Sequence, residues 1–295
     1  MADIQLRFNL DMLALSTSFD RVLDEQGFTD DADQIYALLC EPELFEEAFR
    51  TEAMIETPCF VAPSNLITPA HIAYSNFTDC MDDMARNAYE TAAAFKPQHI
   101  LAEIASTALP LDPESKTSLK QSKDQYQRAV KALRVYPFDA MYFTHITNAY
   151  DAQCALMGAR SIYDGPVMLS YCLDENGKLS SPHTLKDAIA LGDEYGADAL
   201  GITTALPLGR VLELVEEMKE ATDKPLIVEL VVKSVEQRQF EATDDNPYYV
   251  ASTMYDAALQ LQRAGVQFLR AVGNATPSYT GTLNAVLAGS PVVVK

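Results

Sequence analysis

Apolar positions along the chain follow two periods. Short apolar runs bounded by glycine, proline or polar turns alternate with longer stretches in which apolar residues recur every three or four positions. The first strand passes loosely through Leu6, Phe8, Leu10, Met12, Leu13 and Leu15 and is expected to end near Ser16. Seven further strands are predicted at 53–60 (AMIETPCF), 99–105, 139–146, 166–172, 198–203, 225–232 and 266–272. The seventh, PLIVELVV, is almost wholly apolar, as a strand covered on both faces should be. Pro58 falls at the end of the second, because a proline inside a central strand removes a ladder hydrogen bond.

The intervening segments read as helices. They are expected at 19–26, 30–50, 71–96, 118–135, 150–163, 184–195, 208–221, 247–263 and 278–288. Gly27 and Gly196 stand where helix C-termini are commonly closed. The stretch 233–246 is long, charged and poor in structural signals, a pattern common in functional or mobile loops.

Eight strands alternating with helices predict an α/β fold of the (β/α)8 TIM-barrel type, with residues 1–295 as one domain. VYPFDAMYFTHIT, EYGADALGITT and RAGVQFLRAVG echo one another: a helix end, a small residue, a buried strand and a polar tip. An open doubly wound sheet is the alternative. No G-x-G-x-x-G follows any strand, which leaves a dinucleotide fold little support.

Charge and cysteine usage narrow the partners. A formal net charge of −20 argues against nucleic acid, since such a surface repels phosphate. The five cysteines stand singly, with no C-x-x-C, as expected of reduced thiols in a cytoplasmic protein. There is no apolar run of membrane-spanning length and no secretory pattern at the N-terminus, so no membrane association is expected.

Several segments, in order, resemble one family. They are MIETPCF, FDAMYFTHITNAYDAQCAL, PVMLSYCLDENGKLSS, YGADALGITTALPLGRVLELVEEMKEATDKPLIV and AGVQFLRAVGNATPSY. Together they resemble the homocysteine S-methyltransferases, which include the homocysteine-binding barrel of cobalamin-dependent methionine synthase and betaine–homocysteine methyltransferase. The resemblance implies a (β/α)8 barrel and a zinc ion held by three cysteine thiolates, which binds the homocysteine sulfur as a thiolate. It also implies a methyl donor, either a corrinoid protein or a methylated small molecule.

The chain departs from that pattern at the metal. Where the family has Gly-Leu-Asn-Cys after the sixth strand, this chain has Gly201-Ile202-Thr203-Thr204. Where the family has Gly-Gly-Cys-Cys-Gly after the eighth, it has Arg270-Ala271-Val272-Gly273-Asn274. Valine and glycine side chains cannot ligate zinc, and a threonine hydroxyl is a poor ligand. The Asp-Gly-Ala-Met-Gly-Thr first loop is Ser16-Thr17-Ser18-Phe19-Asp20-Arg21 here. The acidic residue at the fourth strand tip is Thr144, and the Pro-Asn-Ala-Gly turn after the seventh strand is Leu230-Val231-Val232-Lys233. Zinc-dependent homocysteine methylation is therefore not expected, and no cofactor is.

Other reactive residues are expected at strand carboxyl ends, where barrel chemistry gathers. Cys59 would end the second strand, Glu103 lies near the end of the third, His145 near the end of the fourth, Cys172 ends the fifth and Glu229 lies near the end of the seventh. His145, Glu103 and Glu229 are the catalytic candidates. Cys59, Cys172, Thr204 and Asn274 are the candidates for substrate contact, the last two also able simply to close their turns. Cys59, His145 and Cys172 would form a replacement zinc site or a nucleophile–base pair if they converge; otherwise the cysteines are ordinary buried packing. His71, His99 and His183 and the helical Cys40, Cys80 and Cys154 read as structural.

Three functions follow. The first is a divergent methyltransferase-like barrel binding a small molecule at its mouth without a three-cysteine zinc site. The second is a non-catalytic binding or partner subunit. The third is a barrel lyase using carboxylate and histidine acid–base chemistry; Schiff-base chemistry would rest on Lys233 alone. A mouth with converging ionisable groups favours an enzyme, and one plugged by Phe19, Leu230 and Val231 favours a partner protein.

Overall fold

The computed structural model describes residues 4–107, 109–235 and 239–292. Eight parallel strands form a single sheet: β1 Leu13–Ala14, β2 Cys59–Ala62, β3 His99–Ala105, β4 Ala140–Ile146, β5 Val167–Cys172, β6 Ala199–Thr204, β7 Leu226–Val232 and β8 Phe268–Gly273. The spatial order is β1-β8-β7-β6-β5-β4-β3-β2. A parallel bridge between Leu15 and Cys59 joins the two ends, so the sheet curls into a (β/α)8 barrel. The outer ring comprises α1 Asp20–Gln26, α2 Asp31–Cys40, α3 Glu43–Met54, α4 Pro69–Ile72, α5 Met81–Ala93, α6 Lys116–Leu133, α7 Ala149–Arg160, α8 Leu185–Glu194, α9 Leu208–Lys219, α10 Ala251–Arg263 and α11 Pro277–Leu287.

Local chemistry sets the helix ends. Gly27 closes α1 in the left-handed conformation at φ 86°, and Thr184 with Asp187 forms a reciprocal capping box at the start of α8. Two expectations shift. The helical stretch 30–50 breaks at Glu41 and Pro42 into α2 and α3, and 71–96 is only partly helical, in α4 and α5. The second strand is displaced further. Residues 53–54 finish α3, and β2 starts at Cys59. The long loop after β7 is pinned where Asn246 pairs with both backbone groups of Lys233, at 3.0 and 2.9 Å. Its residues 236–238 lie outside the described residues.

Alternation along the strands divides the barrel interior into two layers. The lower one is apolar. Leu13, Leu15, Cys59, Val61, Leu101, Tyr142, Met168, Ile227 and Phe268 pack there over Ile4, and Phe8 meets Phe268 edge-on at 6.0 Å. Two residues further along five of these strands the inward positions become polar or charged: Glu103, Thr144, Ser170, Glu229 and Arg270 are all buried. Thr203 joins them from β6. The carboxyl half of the barrel is therefore filled by polar chemistry.

Candidate functional site

Arg270 is the centre of that polar layer. It is 1% exposed and reaches across the barrel from β8. Its Nη1 donates to Glu103 Oε1 and to Glu229 Oε1, each at 3.0 Å, and Nη2 donates to Glu103 Oε2 at 3.2 Å. Its Nε donates to the Ser16 carbonyl at 2.9 Å, tying the tip of β1 into the layer. Desolvating a charge costs several kcal/mol, which two carboxylates at hydrogen-bond distance offset. Burial alone would lower the guanidinium pKa, but the charges of Glu103 and Glu229 outweigh it and raise it.

The carboxylates are held from the other side as well. Glu103 Oε1 accepts the Thr144 hydroxyl at 2.9 Å, and Glu229 Oε2 accepts the Thr203 hydroxyl. Burial would raise the Glu103 carboxyl; the Arg270 charge and hydrogen bonds, helped by His145 and Thr144, overcome that and hold it below the usual range.

Above this layer lies a small cleft with an accessible cavity of about 30 Å³. Ser18, Asp20, Asn65, Glu103 and His145 supply its polar wall, and Phe19, Leu38, Leu66 and Met84 part of its apolar one. Asp20 accepts the Ser18 hydroxyl at 2.8 Å. Its carboxyl is raised, by burial first and by Glu103 as a smaller contribution; Ser18, His145 and Arg270 oppose the shift. Two carboxyls in one cleft are thus pushed in opposite directions, a pattern typical of acid–base sites.

His145 stands on the rim. Strict alternation would turn it outward, as it does Phe143. Instead the β4–β5 register shifts between Phe143 and Ile146, and His145 takes φ 58°. A non-glycine residue in that region is uncommon and costs free energy. The bulge leaves His145 exposed beside the cleft, with Nδ1 3.1 Å from the Thr144 hydroxyl.

Of the residues expected at the mouth, Glu103, Glu229 and His145 are brought into one connected network, and Cys172 lies at the carboxyl end of β5, half-buried. Its thiol is raised by burial and then by the Glu229 charge. Cys59 does not belong to the mouth. It opens β2 instead of closing it, faces the lower apolar layer, and its thiol is pushed far up by burial. The Cys59, His145 and Cys172 set is therefore not assembled, and among the described residues no three His, Cys, Asp or Glu side chains are arranged to hold a metal ion. Thr204 is buried, and its hydroxyl accepts the Leu206 backbone N–H at 3.1 Å, closing a turn. Asn274 lies apart from the Glu103 cleft, beside Arg21, Asp24 and Ser234.

Phe19, Leu230 and Val231 do not come together as a plug. Phe19 packs against Phe45 and Phe49 at 5.0 and 5.2 Å, Leu230 is wholly buried on the outer face of β7, and Val231 is half-buried. Arg270 and Asp20 are the residues the sequence reading passed over. Arg270 had a signal: it is a lone cation in an apolar strand, just as Glu103 and Glu229 are lone anions in HILAEIA and PLIVELVV.

The positions matching the family's three thiolates are Thr204, Val272 and Gly273. Gly273 has φ 72°, and a Cβ there would meet the Val232 carbonyl at 2.8 Å. A cysteine at that position would strain the backbone and collide with β7. The donor set does not fit the family's zinc.

Fold and site together define a TIM barrel with an ionisable centre at the carboxyl mouth, the position where such barrels carry their chemistry. The homocysteine S-methyltransferase family model matches residues 45–274, and the chain belongs to that family. The homocysteine methyltransferase MmuM from Escherichia coli has a similar structure. Its oxidised form superposes with a TM-score of 0.77 at 19% identity, covering 93% of this chain and 96% of that one. Its metallated form gives 0.76 at 18% identity, with the same coverage. No curated protein matches the chain by sequence.

Proposed function

We propose that this chain is a small-molecule enzyme of the homocysteine S-methyltransferase family that works without the family's three-thiolate zinc. The observation that carries the reading is Arg270, buried between Glu103 and Glu229 directly beneath the mouth. A barrel needs no charge there to fold, and apolar residues would fill the layer at lower desolvation cost. The cation orders two carboxylates at the base of a cleft that also holds Asp20 and His145.

In this reading the ligand sits above Glu103, its polar group toward Asp20 and His145 and its short apolar part against Leu38, Leu66 and Met84. His145 acts on protons, while Glu103, with both oxygens held by Arg270, stays ionised beneath it. Glu229, with both oxygens already engaged, holds Arg270 and sets the local field. Cys172 borders the Glu229 side. The methyl donor belongs to the same proposal as a methylated small molecule or a corrinoid protein.

Thermal-shift and calorimetric titration with homocysteine, other small thiols and amino acids, and methylated sulfonium and ammonium compounds tests the proposal. A ligand at a hundred times its Kd stabilises the fold by about 2.7 kcal/mol. We expect at least one compound to bind with one site per chain, and binding to weaken at least tenfold in His145→Ala. Failure of the whole panel to bind would overturn the enzyme reading in favour of a partner subunit.

A further inference from the structure

The hydrogen bonds at the tip of β4 determine which nitrogen of His145 carries its proton. The Thr144 hydroxyl has one hydrogen, and Glu103 Oε1, 2.9 Å away, accepts it. Glu103 has no proton to return, because it faces Arg270 with both oxygens. The same Thr144 oxygen lies 3.1 Å from His145 Nδ1. With its hydrogen committed, that oxygen can only accept, so Nδ1 must donate. In the neutral ring the lone pair is then on Nε2, the nitrogen left free for the cleft.

We propose that His145 is the proton acceptor of the mouth, acting through Nε2, with Thr144 and Glu103 as its positioning residues. The arrangement is a carboxylate–hydroxyl–imidazole chain, in which the carboxylate orients the base through an intervening threonine. It suits a ligand with a dissociable X–H group, a thiol or a hydroxyl. The X–H bond breaks, the proton goes to Nε2, and the electron pair remains on X as the nucleophile. The imidazolium so formed is offset by Glu103 through Thr144, with Asp20 in the same cleft.

The backbone supports the assignment independently. His145 reaches the rim only because of the bulge and its left-handed φ of 58°. A regular strand would direct it outward toward the helices. Strain of this kind persists where the surrounding structure demands it and concentrates at functional positions.

The inference rests on the small-molecule reading for its ligand, but not for its test. Long-range proton–nitrogen correlation spectra of the full-length, ¹⁵N-labelled protein report the tautomer of each of the four histidines. His145→Gln identifies the His145 signals. We expect the Nδ1–H form in the wild type and in Thr144→Ser, which keeps the hydroxyl. In Thr144→Val the population should shift toward Nε2–H. An Nε2–H ring in the wild type, or a spectrum unchanged by a folded Thr144→Val, would overturn the assignment. If Thr144→Val does not fold, the wild-type tautomer alone decides. A ligand screen that fails while the Nδ1–H form is observed removes the small-molecule reading and leaves the positioning intact.

Discussion

At the scale of the residue, the balance between Arg270 and its two glutamates dominates. Removing one partner of a buried ion pair leaves an uncompensated charge, which costs about 3–5 kcal/mol. Arg270→Met leaves two such carboxylates, and we expect a loss at the upper end of that range in urea unfolding. Glu103→Gln tests the same contact through pH. The folded-state pKa of Glu103 lies below the ordinary glutamate value of about 4.3. The stabilisation from its ionised form is thus complete above that value and is lost as pH falls through the depressed one. Glu103→Gln should melt below the wild type at neutral pH, and the gap should close as the solution is acidified through that lower range. The three charges were legible in the chain as isolated ions in apolar strands. Their convergence was not, because register between strands distant in sequence decides which inward positions share a layer.

At the scale of the element, β2 and β4 show what pattern alone conveys. The run AMIETPCF mixes apolar and polar residues and supports either a helix end or a strand. Tertiary contacts decide for the helix. Glu52, near the end of α3, accepts hydrogen bonds from Thr17, Thr57 and Thr280, joining the first loop to α11. That displaces β2 and carries Cys59 from the mouth into the lower core. The first strand shortens to Leu13–Ala14, with Ile4–Arg7 in a 3-10 turn before it, whereas β3 to β8 lie close to their expected positions, because continuous apolar runs bounded by turns define buried parallel strands well. In β4 the bulge at His145 has no signature in FTHIT, since its cause lies in pairing with β5. His145→Gly should relieve the left-handed backbone and raise stability by about 1 kcal/mol, measured by thermal or chemical unfolding. A loss of stability would show that the conformation is not strained.

At the scale of the whole molecule, composition and fold carry different information. The net charge of −20 governs the surface, while the barrel is built on apolar runs that the charge leaves untouched. Self-repulsion of that size is screened within about 8 Å at physiological ionic strength. Melting temperature should therefore rise when salt is increased from a few millimolar to about 0.15 M. A flat response would mean that acidic residues are locally compensated. Among the described residues no helix is long and apolar enough to cross a membrane.

Family membership and the chemistry at the mouth separate at this scale. The barrel frame is shared with homocysteine S-methyltransferases, whereas the mouth is organised around a guanidinium and carboxylates. The most direct measurement is zinc content. Full-length protein would be loaded with zinc in the presence of homocysteine, dialysed and analysed by plasma mass spectrometry. The account predicts far less than one zinc per chain, and no gain in Thr204→Cys/Val272→Cys/Gly273→Cys, where the backbone at Gly273 excludes a side chain. One tightly held zinc per wild-type chain would contradict it.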